Sequence, residues 1–490
     1  MSLPELPRFS QDAKILFIIH DVYQDDNLFP SGVAYLAAVL RDLGASVEIC
    51  CMDLYHYSNA QLEEKLRDAA YDLIGVGFMA ARFKETILDL CASINRAKKD
   101  AWLVLGAHGP SPIPEYVLKT TRADVVAMGE AELTLPELLF CKVNGRDLRG
   151  VPGLAYRIGD EVVVNPRRKP VAALDALPFP AWDLFPIETY MRSVVWPWQE
   201  SGEKSLNFSA GRGCINKCNF CYRMERGLRV RSVENIVSEV KILYNNYGIN
   251  NFYINDELFV FKKERIFDFE KQLEVNDIHI KFGCDARVDI IDRELLESLK
   301  RCGCKFLCIG FESASDEVLR LMNKNTTYAQ NIRALEAITA VGNLGVGLNF
   351  LWNNLGDDEK TLLRNVELIK TYNNYDQLRT IRPVTPYPGS DLYYKAVDMG
   401  LLTGPEDFFD RFVNSDLLLV NFMDIPTERV YELLLEANTD LINDHFRHTS
   451  GDMQTAQTMI QQFADLYSGK ITNFRGARHY KKHAPEKASA

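Results

Sequence analysis

The sequence has little of what marks a membrane protein or a nucleic-acid-binding protein. No apolar run approaches the roughly 18 residues that a helix needs to span a bilayer, and residues 1–14 are polar, unlike a secretory signal. Basic residues are in the minority, because 56 Lys and Arg face 67 Asp and Glu, for a formal net charge of −11. This balance disfavours nucleic-acid binding through bulk electrostatics. We therefore predict a cytoplasmic protein without a membrane span and without a nucleic-acid partner.

Disulfides are also not expected, although the 490-residue chain has eleven cysteines. A chain of this length holds two or three domains and buries its core without disulfides. In a reducing compartment its cysteines should be core thiols or metal ligands. Cys302, Cys304 and Cys308 flank or lie in a predicted strand, so we expect core thiols there. These three would hold a second cluster only if their side chains converged.

The first 140 residues alternate short apolar runs with amphipathic stretches, which predicts a doubly wound, Rossmann-like parallel α/β sheet over residues 1–145. The predicted strands are residues 14–19, 46–51, 73–78, 102–106 and 124–128. The predicted helices are residues 33–42, 60–70, 84–98 and 113–120. In such a sheet, ligands bind outside the carboxyl ends of the strands.

A second β/α alternation follows a proline-rich linker over residues 146–200, in which residues 151–164 are predicted to form a small hairpin that turns at Gly159-Asp160. The predicted strands of this second region are residues 206–210, 251–255, 278–284, 306–311, 346–351 and 378–384. Six such units over residues 201–400 predict a partial (β/α)6 barrel of the TIM type, with its active site at the carboxyl ends of the strands. Residues 401–490 are predicted to be helical, with a solvated basic tail after Gly469.

Cys214, Cys218 and Cys221 lie within eight residues, directly after the first predicted barrel strand. Thiolates are the ligands of iron–sulfur clusters. A four-iron cluster held by three cysteines leaves one iron free to bind a small molecule. The alternatives are core thiols and a structural zinc, which needs four ligands at close spacing. Beyond Cys221 the next candidates for zinc are His279 and Cys284, and no second C-x-x-C pair is present.

The spacing C-x-x-x-C-x-aromatic-C after a first strand resembles the radical S-adenosylmethionine (SAM) superfamily. The resemblance implies a 4Fe–4S cluster whose open iron chelates the amino and carboxylate groups of SAM, with Phe220 packed near the adenine and Tyr222 beside it. One electron from the cluster then breaks the C5′–S bond and yields a 5′-deoxyadenosyl radical. The cofactor carries this chemistry, while the protein supplies position and excludes water. An electron donor such as flavodoxin or ferredoxin is implied as a partner.

Other strand ends also resemble SAM-binding segments of that superfamily. Asp256 and Glu257 follow the second barrel strand, where the resemblance implies contacts to the amino group of SAM; a helix N-cap is the alternative for such a carboxylate. Arg287 follows the third strand and would pair with the carboxylate of SAM, unless it forms a structural salt bridge. Glu312 and Ser313 follow the fourth strand and resemble a segment that contacts the ribose and the amine. A carboxylate after a buried strand needs a partner.

The N-terminal sheet, placed before such a barrel, resembles the cobalamin-binding subfamily. The segment Gly129-Glu130-Ala131-Glu132-Leu133-Thr134 and the proline-rich linker segment 178–184 resemble recurrent segments of that subfamily. The resemblance covers roughly residues 14–400 and implies bound cobalamin, with a sheet that has lost the cofactor and serves as scaffold as the alternative. The implied cobalamin contacts are His20, Asp21, Met79, Ala80, Ala81, Gly106, Ala107, His108, Gly129 and Glu130.

One motif of the wider cobalamin-binding fold is absent. Mutases and methionine synthases carry D-x-H-x-x-G after the first strand, whose histidine is the lower ligand of cobalt. Here the region reads His20-Asp21-Val22-Tyr23-Gln24-Asp25. The resemblance then implies that the loop 79–82 shields the lower face without a protein nitrogen on cobalt. Ligation by His20 is the alternative.

The resemblance predicts a cobalamin-dependent radical SAM C-methyltransferase. One SAM would methylate cob(I)alamin, and a second would yield the radical that abstracts hydrogen from an unactivated carbon. The substrate radical would take its methyl group from methylcobalamin. The substrate would be a small molecule, a lipid or a peptide. Ring formation, ring rearrangement or oxidation shares every motif and is the alternative, whereas a cobalamin or redox sensor would not need the barrel.

Overall fold

The computed structural model describes residues 3–10, 12–22, 27–194 and 196–474. Two parts of the sequence that carried predictions lie outside these residues: the tail with Arg475, Arg478, Lys481 and Lys482, and the segment Tyr23-Gln24-Asp25. The chain forms two compact units. The first comprises Met1–Ile215, Tyr222–Phe259 and Phe267–Phe282, and the second comprises Asn216–Cys221, Val260–Ile266 and Gly283–Ala490. The domain boundaries deduced above from the sequence stay predictions.

The N-terminal sheet has seven strands in the order β2-β1-β3-β4-β5-β6-β7. They are β1 (Lys14–Ile19), β2 (Ser46–Cys51), β3 (Leu73–Gly77), β4 (Trp102–Gly106), β5 (Val125–Ala127), β6 (Leu154–Ile158) and β7 (Glu161–Val164). The first five are parallel, as predicted. Because β2 lies on one side of β1 and β3 lies on the other, the strand order switches direction between β1 and β3. Ligands bind at such a switch point in open parallel sheets.

Helices connect these strands. They are α1 (Ser31–Asp42), α2 (Met52–Tyr55), α3 (Asn59–Asp68), α4 (Leu88–Ala97), α5 (Pro114–Thr121) and α6 (Thr134–Val143). The predicted helix 84–98 is shorter than expected, because Phe83–Ile87 forms a π-turn before α4. Sheet and helices share an apolar core that includes Ile15, Phe17, Leu73, Val104 and Leu138. Strands this deeply buried read in sequence as continuous apolar runs.

The hairpin predicted at residues 151–164 is present, but it belongs to the sheet rather than to a separate linker. Strand β6 pairs antiparallel with β5, aligning Val125 with Tyr156, and β7 pairs with β6. A short apolar strand such as β5 would otherwise leave an unpaired edge. The hairpin therefore covers that edge.

The second alternation forms a curled half-barrel sheet in the order β15-β14-β13-β12-β11-β8. Its strands are β8 (Ser205–Phe208), β11 (Asn251–Ile254), β12 (Lys281–Ala286), β13 (Cys304–Glu312), β14 (Gly345–Trp352) and β15 (Arg382–Pro383), and a separate antiparallel hairpin consists of β9 (Gly211–Cys214) and β10 (Gly227–Val230). The accompanying helices are α7 (Ile187–Ser193), α8 (Val233–Tyr247), α9 (Lys263–Val275), α10 (Arg293–Arg301), α11 (Asp316–Leu321), α12 (Tyr328–Val341) and α13 (Glu359–Tyr372). Several begin at a capping side chain, such as Ser232, Asp292 and Asp358.

The last predicted barrel strand, residues 378–384, is reduced to the two residues of β15. Pro383 has no backbone N–H to donate to a ladder. Side-chain hydrogen bonds replace the missing backbone hydrogen bonds of the sheet. Arg379 Nη2 and Gln377 Nε2 donate to the carbonyl of Val346 at 2.7 and 3.1 Å.

The C-terminal region is helical, as predicted. It contains α14 (Asp391–Asp398), α15 (Pro405–Arg411), α16 (Thr427–His448) and α17 (Met453–Tyr467). Ile442, Phe446 and Phe463 belong to an apolar cluster that α16 and α17 build together. Among the described residues, no helix combines the length and the apolar character needed to cross a bilayer.

Candidate active site

A cavity of about 510 Å³ lies in the first unit, at the carboxyl edge of the N-terminal sheet. One wall consists of the ends of β1, β3, β4 and β5 with the start of α1. The other wall comes from the second alternation. It consists of residues of β8 and β9, of the segment between β9 and β10, and of the segment that follows β11. Its polar members on that side include Asn207, Arg212, Glu225 and Glu257. A mostly apolar cavity with few polar groups is typical of small-molecule and cofactor sites.

Glycines at the strand ends leave this cavity open to a large ligand. Gly77 ends β3 and Gly106 ends β4, and both line the cavity. A Cβ on Gly77 would meet only the Cβ of Ala107 at 3.6 Å, and a Cβ on Gly106 would meet only the carbonyl of Ala127 at 3.7 Å. Side chains here would fill cavity space. The sheet edge thus fits a bulky cofactor such as cobalamin lying close to the backbone.

The loops after β4 and β5 are braced by a residue that sequence reasoning did not select. Ser111 Oγ donates to the carbonyl of Ala107 at 2.7 Å and accepts from the backbone N–H of Gly129 at 3.1 Å. Ala107 has a φ of 74°, in the left-handed region that non-glycine residues rarely adopt. A single serine therefore fixes two predicted cobalamin contacts.

His20 follows β1 and lines the same cavity. Burial, with the positive charge of Arg82 second, lowers its pKa to about 4, although a hydrogen bond with the carbonyl of Gly77 acts in the opposite direction. The imidazole is therefore neutral at pH 7. Its Nε2 is buried and has no hydrogen-bond partner among the residues that the structure describes.

Only one of the other cobalamin contacts predicted after β1 and β3 is part of the cavity wall. Met79 lines the cavity and is 56% exposed. Ala80 and Ala81 lie in the following turn and are not part of the cavity wall. Asp21 is buried and bonds the imidazole of His56, with Nδ1 and Oδ2 2.8 Å apart.

His108 brings the two predicted sets of cofactor contacts together within the first unit. Its Nε2 lies 3.9 Å from the carboxylate of Glu257, which follows β11. Its ring also meets the ring of Tyr222 edge-on, with centroids 6.0 Å apart. His108, assigned to cobalamin, and Glu257, assigned to SAM, therefore line the same cavity from opposite walls.

Glu130, predicted to contact cobalamin, lies in a buried ion network with the hairpin that carries Cys214. Arg212 Nη1 is 3.1 Å from Glu130, and Arg212 Nη2 is 2.7 Å from Glu132. Arg229 on β10 donates to Glu130 at 2.9 Å. The network ties the β9–β10 hairpin to the loop after β5. Sequence reasoning missed both arginines.

The three cysteines lie on β9 and in the connection after it. Cys214 ends β9 and is half-buried, Cys218 is buried, and Cys221 is exposed. Their thiols form no disulfide, so three soft donors remain for metal ligation. Within the described ranges, no three His, Cys, Asp or Glu side chains converge on a single ion. A cluster does not require this, because each thiolate ligates a different iron, and the donor set fits a 4Fe–4S cluster.

Within the second unit, Asn219 fixes the segment between Cys218 and Cys221. Its backbone N–H donates to the carbonyl of Met322, and its carbonyl accepts from Leu392, both at 2.8 Å. Its side-chain amide pairs with that of Asn354 at 3.3 Å. Phe220, predicted to pack near the adenine of SAM, follows directly and is half-buried.

The predicted SAM contacts Arg287 and Glu312 come together in the second unit through Lys324. Lys324 Nζ donates to Glu312 at 2.8 Å, and Arg287 Nη2 donates to the carbonyl of Lys324 at 2.9 Å. Gly310 leaves room for this pair, since a Cβ there would lie 2.2 Å from the Glu312 carboxylate. Arg287 also pairs with Asp289 at 3.1 Å. These charged groups fit the amino and carboxylate groups of SAM.

Two predicted SAM contacts have local partners instead. The buried carboxylate of Asp256 accepts from the backbone N–H of Ala210 at 2.7 Å and so holds the turn between β8 and β9. The hydroxyl of buried Ser313 accepts from the N–H of Ser315 at 3.2 Å. Neither of these two residues lines the cavity.

Asn354, whose side chain pairs with that of Asn219, also bonds the buried carboxyl group of Asp357. The backbone N–H of Asn354 donates to Asp357 at 2.9 Å, and the hydroxyl of Thr361 donates at 2.7 Å. Burial raises the pKa of Asp357 to about 7 despite these bonds. Its folded-state pKa thus exceeds the ordinary value of 3.8.

We expect this carboxyl to make stability depend on pH. Below about pH 4 Asp357 is protonated whether the chain is folded or unfolded; as pH rises toward 7 only the unfolded chain ionises freely, so folding becomes less favourable. The loss, on the order of 4 kcal/mol, is complete above pH 7. Asp357→Asn should therefore lose less in Tm between pH 5 and pH 8 than the wild type. The exposed Asp160→Asn should leave the wild-type slope unchanged, and an equal slope in both variants would contradict the assignment.

Two sequence profiles match the chain: the Radical SAM superfamily over residues 208–369 and the B12 binding domain over residues 24–139. An uncharacterized methyltransferase of Pyrococcus horikoshii is 27% identical and aligns with 76% of this chain and 79% of its own length. The anaerobic magnesium-protoporphyrin IX monomethyl ester cyclase of Rubrivivax gelatinosus is 27% identical over 75% of this chain and 66% of its own length. The chain spans 51% of the corresponding cyclase of Cereibacter sphaeroides.

Two solved structures share the fold. The radical SAM methyltransferase TsrM from Kitasatospora setae, solved with cobalamin and a 4Fe–4S cluster, superposes with a TM-score of 0.66 at 17% identity, over 80% of this chain and 75% of that one. The cobalamin-dependent SAM radical enzyme OxsB has a TM-score of 0.63 at 23% identity, over 81% of this chain and 55% of that one. The predicted sheet, half-barrel and helical region are thereby confirmed as a fold.

Proposed function

Because this chain belongs to the radical SAM superfamily and carries a B12-binding domain ahead of its radical SAM domain, we propose that it is a C-methyltransferase. It is a cobalamin-dependent radical SAM enzyme whose cofactors are a 4Fe–4S cluster, SAM and cobalamin. When bound, these groups supply a 5′-deoxyadenosyl radical and a methyl group. The substrate is an organic molecule with an unactivated C–H bond, and a flavodoxin or ferredoxin supplies the electrons.

The shared cavity carries this proposal. Methyl transfer to an unactivated carbon requires hydrogen abstraction and methyl delivery at the same atom, so both cofactors must reach one substrate position. Its walls contain Gly77, Gly106 and His108 on the sheet side and Glu257 on the half-barrel side. A site that used only one cofactor would not need both walls.

The chain's own residues bind, orient and exclude water. Cys214, Cys218 and Cys221 hold the cluster, and the Glu312–Lys324 pair with Arg287 provides charges for the zwitterionic end of SAM. Open backbone at Gly77 and Gly106 receives cobalamin. The mostly apolar lining of the cavity keeps water away from a reactive radical.

The printed names of the relatives support methyl transfer and also define the second candidate. They include a hopanoid C-3 methylase of Methylococcus capsulatus and a cytidylyl-2-hydroxyethylphosphonate methyltransferase of Streptomyces wedmorensis. They also include the cyclases and a 4′-phospho-dehydrooxetanocin synthase of Priestia megaterium. Ring chemistry is therefore the alternative that an experiment must separate from methylation.

The test is product analysis of the anaerobically reconstituted, reduced protein loaded with cobalamin and SAM. We expect S-adenosylhomocysteine in an amount comparable to the enzyme, together with slow release of 5′-deoxyadenosine, both quantified by mass spectrometry. Omitting cobalamin should remove the S-adenosylhomocysteine and leave the deoxyadenosine. Deoxyadenosine alone, with cobalamin bound, would contradict methyl transfer and favour ring formation, rearrangement or oxidation.

A further inference from the structure

The last strand of the half-barrel sheet carries a charged side chain on the face that the helices leave open. Trp352 ends β14 and is fully buried, and its Nε1 donates at 3.0 Å to the carbonyl of Asp358, the residue that caps α13. The face of Trp352 is therefore the face that helices cover. Leu351 precedes it and is aligned with Arg382 of β15. Because successive side chains of a strand point to opposite faces, Leu351 and Arg382 lie on the other face, here called the inner face.

The inner face also holds a carboxylate that we assign to SAM binding. A Cβ on Gly310 of β13 would lie 2.2 Å from the carboxylate of Glu312, so this carboxylate lies over the face to which Gly310 points. Gly310 is aligned with Asn349 of β14, and Asn349 shares its face with Leu351, two residues further along. Neighbouring strands are about 4.8 Å apart, so the backbones of β13 and β15 are separated by roughly 10 Å. Arg382 and Glu312 therefore lie on one face, at a distance that an organic molecule can span.

The guanidinium of Arg382 is available to a ligand. It is exposed, and it forms no hydrogen bond or ion pair with any residue that the structure describes. Arg379, three residues earlier, is by contrast buried and pairs with Asp376 at 2.7 Å. A guanidinium presents a planar set of N–H donors that matches the oxygens of a carboxylate or a phosphate. Leu351 beside it is half-buried and offers apolar surface to the rest of such a molecule.

We propose that Arg382 binds an anionic group, a carboxylate or a phosphate, of the organic substrate, whose apolar part packs against Leu351. The inference rests on the proposed function, because it takes the substrate of that reaction to bind on the inner face. Leu351 is the last residue but one of β14, and active sites of β/α barrels lie at the carboxyl ends of the strands. The substrate class is thereby narrowed to organic acids and phosphate esters.

Arg364 provides a matched control. It is also exposed and also has no hydrogen-bond or ion-pair partner within the described ranges. It lies on α13, in the helical layer that covers the opposite face of the sheet. The two arginines therefore differ in position and not in chemistry, so a general effect of removing one positive charge would appear in both variants.

The test is calorimetric titration of the full-length protein, reconstituted with its cluster and cobalamin, with phenyl phosphate, benzoate and benzyl alcohol. The three probes share an aromatic ring and differ in charge. We expect wild-type protein and Arg364→Gln to bind at least one of the two anions about 10-fold or more tightly than the alcohol. Arg382→Gln should bind all three alike, and Arg382→Lys should keep part of the preference. The anion that binds more tightly shows whether the site takes a phosphate or a carboxylate.

Several results would overturn the assignment. They are the absence of any charge preference or of any binding in wild-type protein, and a full preference in Arg382→Gln. The affinity for SAM, titrated in the same way, should be unchanged in Arg382→Gln, and a weaker affinity would assign the guanidinium to the cofactor instead. If Arg382→Gln does not fold, an undiminished preference in Arg382→Lys contradicts the proposal.

The titrations need no turnover, so they separate this inference from the proposed reaction. A charge preference that depends on Arg382, without S-adenosylhomocysteine formation, would count against methyl transfer and leave the anion site in place. Formation of S-adenosylhomocysteine without a charge preference would overturn the anion site alone.

Discussion

Replacing Cys218 by alanine is expected to abolish formation of 5′-deoxyadenosine, with a loss of at least about 100-fold. Cys218 is buried, and the residue that follows it, Asn219, is fixed by backbone hydrogen bonds to Met322 and Leu392. Removing its thiolate would take away one of the three proposed cluster ligands, so the cluster should be lost or left too labile to hold SAM. Iron and sulfide content and deoxyadenosine formation, measured on anaerobically reconstituted protein, check this result.

Cys302→Ala is the matched control for that experiment. Cys302 is equally buried, and its Sγ lies 3.8 Å from the carbonyl of Ile266, as expected for a core thiol. Its loss should leave iron content and deoxyadenosine formation near wild-type values. Full activity in Cys218→Ala would overturn the cluster assignment. A matching loss of iron in Cys302→Ala would instead point to a second cluster.

Arg212→Ala is expected to lower the free energy of unfolding by about 3–5 kcal/mol, as is typical when one partner of a buried ion pair is removed. Glu132, only 4% exposed, would lose the guanidinium at 2.7 Å, whereas Glu130 would keep Arg229. The variant therefore leaves one buried carboxylate without a cation. Urea or thermal unfolding followed by circular dichroism measures the change.

Two further variants make this measurement specific. Arg149→Ala removes an exposed arginine from its pair with Asp147 and should cost no more than about 1 kcal/mol. The double variant Arg212→Met with Glu132→Gln removes both charges and should recover part of the lost stability. If Arg212→Ala costs no more than Arg149→Ala, the network contributes little to stability.

The sequence was sufficient to predict the strands that are buried on both faces, because such strands have continuous apolar sequences. Strand β1 lies where residues 14–19 predicted it, because both its faces are covered and no polar residue interrupts the run. The β9–β10 hairpin was not predicted, since Gly211–Cys214 is short and has no apolar alternation. Its geometry depends on Gly213, whose φ is 80° and whose Cβ, if present, would lie 2.2 Å from the Gly227 carbonyl.

The positions of several candidate site residues were predictable from the strands that they follow. Residues such as His20 and His108 follow parallel strands, and the ends of parallel strands meet at one edge of a sheet. The partners of these residues were not predictable. Arg212 pairs with Glu130 across 82 positions of sequence, and Lys324 reaches Glu312 from beyond α11. No local pattern records contacts of that kind.

The ion network also constrains the order of events during biosynthesis. Glu130 and Glu132 leave the ribosome about 80 residues before Arg212, and N-terminal segments begin to fold while synthesis continues. Until the arginine arrives, these carboxylates have no cationic partner and must stay hydrated, so the loop after β5 cannot close against its final neighbour. The cavity is therefore completed late, and a nascent chain that has not yet reached the hairpin should capture cobalamin poorly.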